Sequence, residues 1–112
     1  MNKYHNRKIT KDGEVFDSAK EYRRWCELKA LAKAGKIRNL QRQVRFELIP
    51  SQKVNGKVME RPCAYVADFT YFEGADMVVE DVKGYRKGTA YDVFVIKRKL
   101  MLMLYGIKIR EV

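Results

Sequence analysis

The 112-residue chain has little of the chemistry on which several common functional sites depend. His5 is its only histidine, so a zinc site or a Ser-His-Asp arrangement has one candidate base at most. Cys26 and Cys63 fit no zinc-binding spacing, and a single pair of cysteines gives little support for a disulfide framework. The sequence Gly-x-x-x-x-Gly-Lys does not occur. Nucleotide hydrolysis of the P-loop type is therefore unsupported.

Long apolar runs are also missing from the chain. No run approaches the roughly 20 residues of a membrane span, and the N-terminus lacks the apolar segment of a signal peptide. An apolar content of 46% and seven tyrosines indicate a folded protein. A chain of this length can bury one core of modest size. We therefore expect a single cytoplasmic domain over residues 1–112 that has no membrane partner.

Positive charge dominates the composition. The formal net charge is +10 and the estimated pI is 9.7. A basic protein of this size usually binds a polyanion, most often nucleic acid, although a merely soluble basic surface is an alternative. Residues 1–13 look like a basic N-terminal arm. The residues expected to contact DNA phosphates are Lys3, Arg7, Lys8, Lys11, Arg86, Lys87, Lys97 and Lys99.

The hydrophobic patterns predict the order helix, three strands, helix, strand. Ser18 and Glu21 have the spacing of a capping box that opens the first helix. Asn55-Gly56 marks a tight turn within a polar excursion, and Thr89 is the expected cap of the second helix. The predicted elements are a helix at 18–34, strands at 41–48, 63–72 and 77–83, a helix at 90–104 and a strand at 107–112.

Two aspartates are predicted to face each other on neighbouring strands. Residues 73–76 have the length and composition of a hairpin loop. If Phe72 pairs with Met77, antiparallel register places Asp68 directly opposite Asp81. Side chains paired in this way have Cβ atoms roughly 4.5–5.5 Å apart, and like charges so placed are destabilising. The two carboxylates therefore need a compensating cation.

Lys83 lies two residues beyond Asp81 and should project from the same face of the strand. Two acids and a lysine that converge in this way are what a hydrolytic metal site for phosphodiesters requires. A surface ion pair at the strand end is the alternative for Asp81 and Lys83 alone. A hairpin loop that differs by one residue would bring Glu80 opposite Asp68 instead.

Two further charged residues interrupt apolar helix stripes. Glu21 shares a helical spacing with Trp25, Leu28 and Ala32, which places it on the predicted core-facing side. It could equally serve only as a capping residue. Lys97 interrupts a second predicted stripe, formed by Val93, Leu100 and Leu104. Either Lys97 extends along the helix to solvent, or it lies near the acids and contacts a phosphate or a water.

With these residues placed, the chain resembles the restriction-endonuclease-like superfamily, whose signature is Pro-Asp…(Asp/Glu)-x-Lys. Asp68 and Asp81-Val82-Lys83 match that signature, although Ala67 stands where the proline would be. More narrowly, the chain resembles the DUF1064-type family of small phage-encoded proteins. The segments that carry this likeness are Asp12-Gly13, Phe16-Asp17-Ser18, Glu21, Leu28-Lys29, Gly35-Lys36-Ile37, Tyr65 to Phe69, Tyr71, Val79 to Gly84, Lys97-Arg98-Lys99 and Tyr105-Gly106-Ile107.

The resemblance implies an α/β fold with an α-β-β-β-α-β core, a mixed sheet flanked by helices, and metal-dependent DNA endonuclease activity. It assigns Glu21, Asp68, Asp81 and Lys83 to the active site. Mg²⁺, or Mn²⁺ in its place, would be held by Asp68, Asp81 and the carbonyl of Val82, with Glu21 binding a second ion or its water. Many relatives have glutamate at the position of Asp81, so the adjacent Glu80 remains an alternative ligand.

The resemblance also implies a phage recombination context inside a bacterial host, and branched double-stranded DNA such as a four-way junction. Two cuts need two sites, so a homodimer is expected. Met101, Leu102 and Met103 could supply the dimer contact, although a helix buried on both sides would explain them too. The rival functions are a non-catalytic DNA-binding protein on the same scaffold and a small RNA-binding protein.

Overall fold

The computed structural model describes residues 7–112. The elements are β1 (Ile9–Lys11), β2 (Glu14–Phe16), α1 (Ala19–Lys33), β3 (Arg38–Ile49), β4 (Gln52–Val54), β5 (Lys57–Glu60), β6 (Cys63–Glu73), β7 (Asp76–Asp81), α2 (Thr89–Tyr105) and β8 (Arg110–Glu111). Strands β3, β6, β7 and β8 form a mixed sheet in that order, and β8 is parallel to β7. The protein is thus a mixed α/β structure in which α1, β3, β6, β7, α2 and β8 follow the expected order.

Helix α1 begins and ends as its sequence predicts. Ser18 is the N-cap, and its side chain accepts a hydrogen bond from the Glu21 N–H at 3.1 Å. Gly35 follows the last turn with a φ of +76°, a conformation that favours glycine. Glu21 and Leu28 are buried, while Trp25 is half-buried against the core. The predicted core-facing stripe of α1 is therefore confirmed.

Two short hairpins lie outside the main sheet. Strands β1 and β2 pair around Asp12-Gly13, so the described end of the predicted basic arm is part of a hairpin. Strands β4 and β5 pair around Asn55-Gly56, so the predicted tight turn is confirmed and the polar excursion around it is a short hairpin. Both turns have positive φ at both central residues, which matches the right-handed twist of paired strands.

The hairpin of β6 and β7 has the predicted register. Phe72 pairs with Met77, and the pairing continues regularly to Phe69 and Glu80. Beyond that pair, Asp81 is bound on its other side by the C-terminal segment, whose Val112 N–H donates to the Asp81 carbonyl at 3.0 Å. Strand β8 is shorter than predicted. Asp68 and Asp81 therefore lie at the same end of the hairpin.

The sheet separates two apolar clusters. The cluster beside α2 contains Leu48, Tyr65, Ala67, Val79, Phe94, Met101 and Ile109. The cluster beside α1 contains Leu28, Ile37, Phe69 and Tyr71. Tyr65 and Ala67 thus contact one cluster and Phe69 and Tyr71 the other, although residues two apart in a regular strand share a face. The alternation of β6 therefore changes at Asp68, between these two pairs.

The change of face coincides with a left-handed residue in the neighbouring strand. Gln43 of β3 has a φ of +54°, and the pairs on either side of it are Arg42 with Phe69 and Val44 with Ala67. A non-glycine residue in this conformation is uncommon within a strand. Asp68 lies at this change of face and belongs to neither apolar cluster.

Helix α2 presents a different face to the sheet than its spacing predicts. Phe94 and Met101 are buried, whereas Val93 and Leu104 of the predicted stripe are 46% and 49% exposed. Because Met101 packs in the core, it is not part of an exposed dimer surface. None of the helices within residues 7–112 is both long and apolar enough to cross a membrane.

The ends of α2 are set by two glycines. Gly88 is the N-cap with a φ of +91° and makes no side-chain capping bond. The prediction that Thr89 caps the helix was wrong, because Thr89 is already its first helical residue. Gly106 ends the helix in the left-handed conformation, as predicted.

Candidate metal centre

Asp68 is held by the backbone of the neighbouring strand. Its Oδ2 accepts the Val82 N–H at 2.8 Å. The residues on either side of Val82 bond instead to Val112, through the Lys83 N–H and the Asp81 carbonyl. In a parallel ladder, this pattern means that the N–H and the C=O of Val82 both point away from the C-terminal strand. The Val82 carbonyl, a proposed ligand, is therefore directed towards the side of Asp68.

Asp81 and Lys83 lie on the same face of β7 and its extension, as predicted. The Lys83 Nζ lies 2.6 Å from Asp81 Oδ2 and 3.4 Å from the ring centroid of Phe94. The other carboxylate oxygen of Asp81 accepts a hydrogen bond of 2.8 Å from the Tyr65 hydroxyl. Burial and the charge of Asp81 raise the pKa of Tyr65, which keeps this donor protonated. Both oxygens of Asp81 thus have fixed orientations.

The carboxylate of Asp68 lies in an unfavourable environment for its charge. Burial, the charge of Asp81 and the neighbouring Glu21 raise its pKa to about 8, although the hydrogen bond from Val82 acts in the opposite direction. A carboxylate surrounded by other acids gains proton affinity because proximity of like charges disfavours ionisation. In the absence of a cation, Asp68 therefore tends to retain a proton near neutral pH.

Glu21 reaches the same place from the start of α1. Its Oε2 accepts the Asp17 N–H at 3.3 Å and lies 3.4 Å from the Arg42 guanidinium. One oxygen each from Asp17, Glu21 and Asp68 lies within 4.8 Å of the others. Glu21 is 2% exposed. The backbone N–H of Glu21 is therefore bonded to the cap residue Ser18, while its side chain lies beside the other acids.

Asp17, Arg42 and Lys20 contribute to this region but were not among the predicted site residues. Asp17 is exposed and lies just before the cap, where an acid is unremarkable in sequence. Arg42 packs over the ring of Phe16 at 3.9 Å and reaches Glu21 because the break at Gln43 turns it towards α1. The Lys20 Nζ donates to the Lys83 carbonyl at 2.6 Å. Neither basic residue follows a spacing that could have revealed its role.

Glu80 lies on the opposite face and makes a complete set of bonds there. Its carboxylate is fully buried and binds Arg24 through Nε at 2.8 Å and Nη2 at 2.7 Å. The Tyr71 hydroxyl donates to the same carboxylate. Glu80 is therefore engaged with α1, and Asp81 is the acid of this pair that faces Lys83 and Asp68.

The predicted phosphate-contacting residues are spread over several surfaces. Lys3 lies outside the described residues. Arg7, Lys8, Lys11, Lys87 and Lys99 are exposed, and Arg86 is exposed but lies 3.6 Å from Glu111. Lys97 is half-buried on α2. Within residues 7–112, the cations paired with the acids of the centre are Arg42 and Lys83, so the structure does not bring Lys97 to that cluster.

The donor set of this centre suits a hard divalent cation. The carboxylates are those of Asp17, Glu21, Asp68 and Asp81. Among the described residues, only Arg42 and Lys83 form ion pairs with these four acids. The centre, which is largely buried, therefore carries an excess of negative charge. Carboxylate and carbonyl oxygens are the ligands that Mg²⁺ prefers. The residues present thus fit Mg²⁺ or Mn²⁺ by charge and by donor type.

A mixed α/β protein with a buried, partly uncompensated carboxylate cluster at one end of its sheet is the class that the fold and site define. A family model described as a protein of unknown function (DUF1064) matches residues 1–110. The chain therefore belongs to the DUF1064 family. No curated protein and no solved structure gives a significant match.

Proposed function

We propose that this protein is a metal-dependent DNA endonuclease with a restriction-endonuclease-like core. The observation that carries the proposal is the convergence of Asp68, Asp81 and Lys83 at the end of the β6–β7 hairpin, with Glu21 facing them from α1. The strongly basic composition supports a polyanionic substrate. The order of the main-sheet elements is compatible with the α-β-β-β-α-β core.

Each residue of the centre has a role in this proposal. Asp68, Asp81 and the Val82 carbonyl would hold Mg²⁺, and Glu21 with Asp17 would offer oxygens on the helix side. Bound there, the ion supplies Lewis acidity that activates water and offsets charge on the phosphate. Lys83, fixed against Asp81 and the Phe94 ring, would orient the nucleophile or stabilise the charge that develops on the phosphate.

The test is a cleavage assay on linear, nicked, flapped and four-way DNA, with and without Mg²⁺ or Mn²⁺. We expect metal-dependent cleavage, and we expect Asp68→Asn and Asp81→Asn to abolish cleavage while DNA binding persists. Asp76→Asn, an exposed aspartate at the other end of β7, is the matched control and should cleave normally. Full activity in either site variant would refute the assignment.

The rival proposal is a non-catalytic DNA-binding protein on the same scaffold. It predicts that none of these substrates is nicked and that binding does not respond to Mg²⁺. A preference for RNA over DNA of the same sequence would favour the RNA-binding alternative. The same set of substrates, with RNA added to the binding assay, separates the three functions.

Branched DNA and a homodimer form the finer part of the proposal. Resolution of a junction needs two active sites, which a two-fold dimer would supply. Helix α2 carries exposed apolar side chains that could form the contact, among them Ile96 at 59%, Leu102 at 55% and Met103 at 71%. We expect light scattering after size exclusion to detect a dimer that Met103→Glu disrupts. A wild-type protein that is monomeric at all concentrations would contradict this part.

A further inference from the structure

A cavity of about 300 Å³ lies between the end of β7 and the start of α2. Val82, Lys83, Tyr85, Lys87 and Tyr91 are among the residues that line it. The first two also belong to the metal centre, where the Val82 N–H binds Asp68 and Lys83 pairs with Asp81. The cavity and the acid cluster therefore adjoin each other at Val82 and Lys83.

The lining of this cavity combines cationic and aromatic side chains. No acid is among the lining residues in the described part of the chain. Lys83 and Lys87 supply positive charge, and Tyr85 and Tyr91 supply aromatic rings. Single-stranded nucleic acid is recognised by this same combination, in which cations contact the backbone and aromatic rings stack on bases.

Tyr91 and Tyr85 occupy different positions in the lining of the cavity. The Tyr91 hydroxyl donates to Glu111 at 3.1 Å, and its ring packs against Phe94 with centroids 5.7 Å apart. Tyr91 thus forms a fixed wall, with the Lys83 Nζ 5.9 Å from its ring centroid. Tyr85 lies in the loop before α2 and is 47% exposed, so its ring is accessible from solvent.

The size of the cavity restricts what it can take. A volume of about 300 Å³ lies at the lower end of the range for small-molecule sites, the scale of one small ligand rather than a stacked base pair. Extrusion of a base from a duplex is least unfavourable when the base is already unpaired. DNA with an unpaired nucleotide at the branch therefore fits better than a continuous duplex.

We propose that this cavity binds one unpaired nucleotide of DNA beside the phosphate held at the metal centre. The inference rests on the proposed nuclease function and specifies its substrate class. Tyr85 stacks on the base, Tyr91 forms the opposite wall, and Lys87 contacts the adjoining phosphate. The enzyme thereby selects flaps, bulges and branch points over continuous duplex.

The test measures binding rather than cleavage. Wild-type protein in EDTA is titrated into a short duplex with one extra, unpaired 2-aminopurine nucleotide, and into the same duplex without the extra nucleotide. We expect tighter binding of the bulged probe by about tenfold, the scale of one base–aromatic stack, with quenching of the 2-aminopurine fluorescence.

The variants separate stacking from other contacts. Tyr85→Ala should remove the preference for the bulged probe and leave binding of the paired probe unchanged, whereas Tyr85→Phe should retain the preference. Tyr105→Ala, which removes a tyrosine of similar exposure at the far end of α2, is the control and should behave as wild type. Lys87→Ala should weaken binding of the bulged probe more than Lys33→Ala does.

The outcomes distinguish this inference from the proposed function. The inference would be overturned if the wild type bound both probes with equal affinity, or if Tyr85→Ala lost the same affinity for both. This holds even if the protein cleaves DNA in Mg²⁺. A preference that Tyr85→Ala removes and Tyr85→Phe retains would support the cavity as a nucleotide site. Absence of cleavage alongside that preference would overturn only the nuclease proposal.

Discussion

Glu80 and Asp81 are adjacent acids on one strand, and their surroundings differ in one decisive respect. Glu80 is fully buried, and its carboxylate is matched by the two-nitrogen contact from Arg24 and the hydroxyl of Tyr71. Asp81 is nearly as buried, but its single cation, Lys83, must serve a region that also holds Asp68. The strand therefore presents a charge-matched acid to one face and a charge-rich cluster to the other.

The difference separates a structural acid from a candidate ligand. A buried ion pair whose remaining hydrogen bonds are satisfied holds α1 against the sheet without needing an external partner. A cluster of carboxylates with too few cations gains stability from any bound cation. Burial alone would have ranked Glu80 above Asp81 as a functional residue, whereas the balance of charge ranks them the other way.

The largest effect is predicted for a substitution of Glu80, the acid whose charge is matched by Arg24. Glu80→Gln keeps the shape of the side chain but removes the buried countercharge of the Arg24 guanidinium. Removal of one partner of a buried pair costs about 3–5 kcal/mol, and we expect about 3 kcal/mol because Arg24 is partly exposed. Urea denaturation followed by circular dichroism measures the loss.

Glu27→Gln is the control for this prediction, because Glu27 pairs with the same Arg24 at 3.8 Å from an exposed position. Exposed pairs contribute about 1 kcal/mol or less. Equal effects of the two substitutions would mean that Glu80 is not the residue that anchors Arg24, and the contrast drawn above would fail.

The next prediction concerns Asp68 and Asp81, which belong to the cluster with more acids than cations. Mg²⁺ or Mn²⁺ should stabilise the wild-type protein, because a ligand at about 100 times its dissociation constant adds about 2.7 kcal/mol to the free energy of unfolding. Asp68→Asn and Asp81→Asn should lose this stabilisation, while Glu80→Gln should keep it. Thermal denaturation with and without the metal measures each variant. A metal effect that survives in Asp68→Asn would place the ion elsewhere.

The central part of the candidate site could be predicted because hairpin register depends on local sequence. The four-residue loop predicted at residues 73–76 is a two-residue turn at Gly74-Ala75 with Glu73 paired to Asp76, but the pairing of Phe72 with Met77 is unchanged, and from that pair the relation of Asp68 to Asp81 follows by counting. The position of Glu21 was predictable for the same reason, since the helical period relates it to Trp25 and Leu28. Both inferences need only one element and its immediate partner.

The remaining features depend on tertiary structure that no local period encodes. The left-handed backbone of Gln43 changes which face Arg42 occupies, and no periodicity signals such a break. Helix α2 is apolar on several sides, and its buried face is centred on Phe94 and Met101 because these two side chains pack into the apolar cluster beside the sheet. The prediction of Thr89 as the cap was wrong because Gly88, with a φ of +91°, occupies the N-cap position of α2.

The last prediction concerns the stability of the acid cluster without metal. The pKa of Asp68 is about 8 in the folded protein against an ordinary value of 3.8, so the folded state binds its proton more tightly than the unfolded state does. The stability that this proton provides is fully present below about pH 4 and is lost as the pH rises towards 8. In EDTA, Asp68→Asn should therefore be more stable than the wild type at pH 8. Each kcal/mol gained corresponds to a melting temperature roughly 4–8 °C higher.

The pH dependence distinguishes this explanation from a general effect of the substitution. The advantage of Asp68→Asn should shrink as the pH falls from 8 towards 4, because Asp68 is then protonated in the unfolded wild type as well as in the folded one. Saturating Mg²⁺ should reverse the order of the two proteins at pH 8, since only the wild type retains the carboxylate. Asp76→Asn, on the same strand but exposed, should show neither trend. An advantage that does not change with pH would mean that the charge of Asp68 is already compensated, and that the contrast between the two faces of β7 is one of packing rather than of charge.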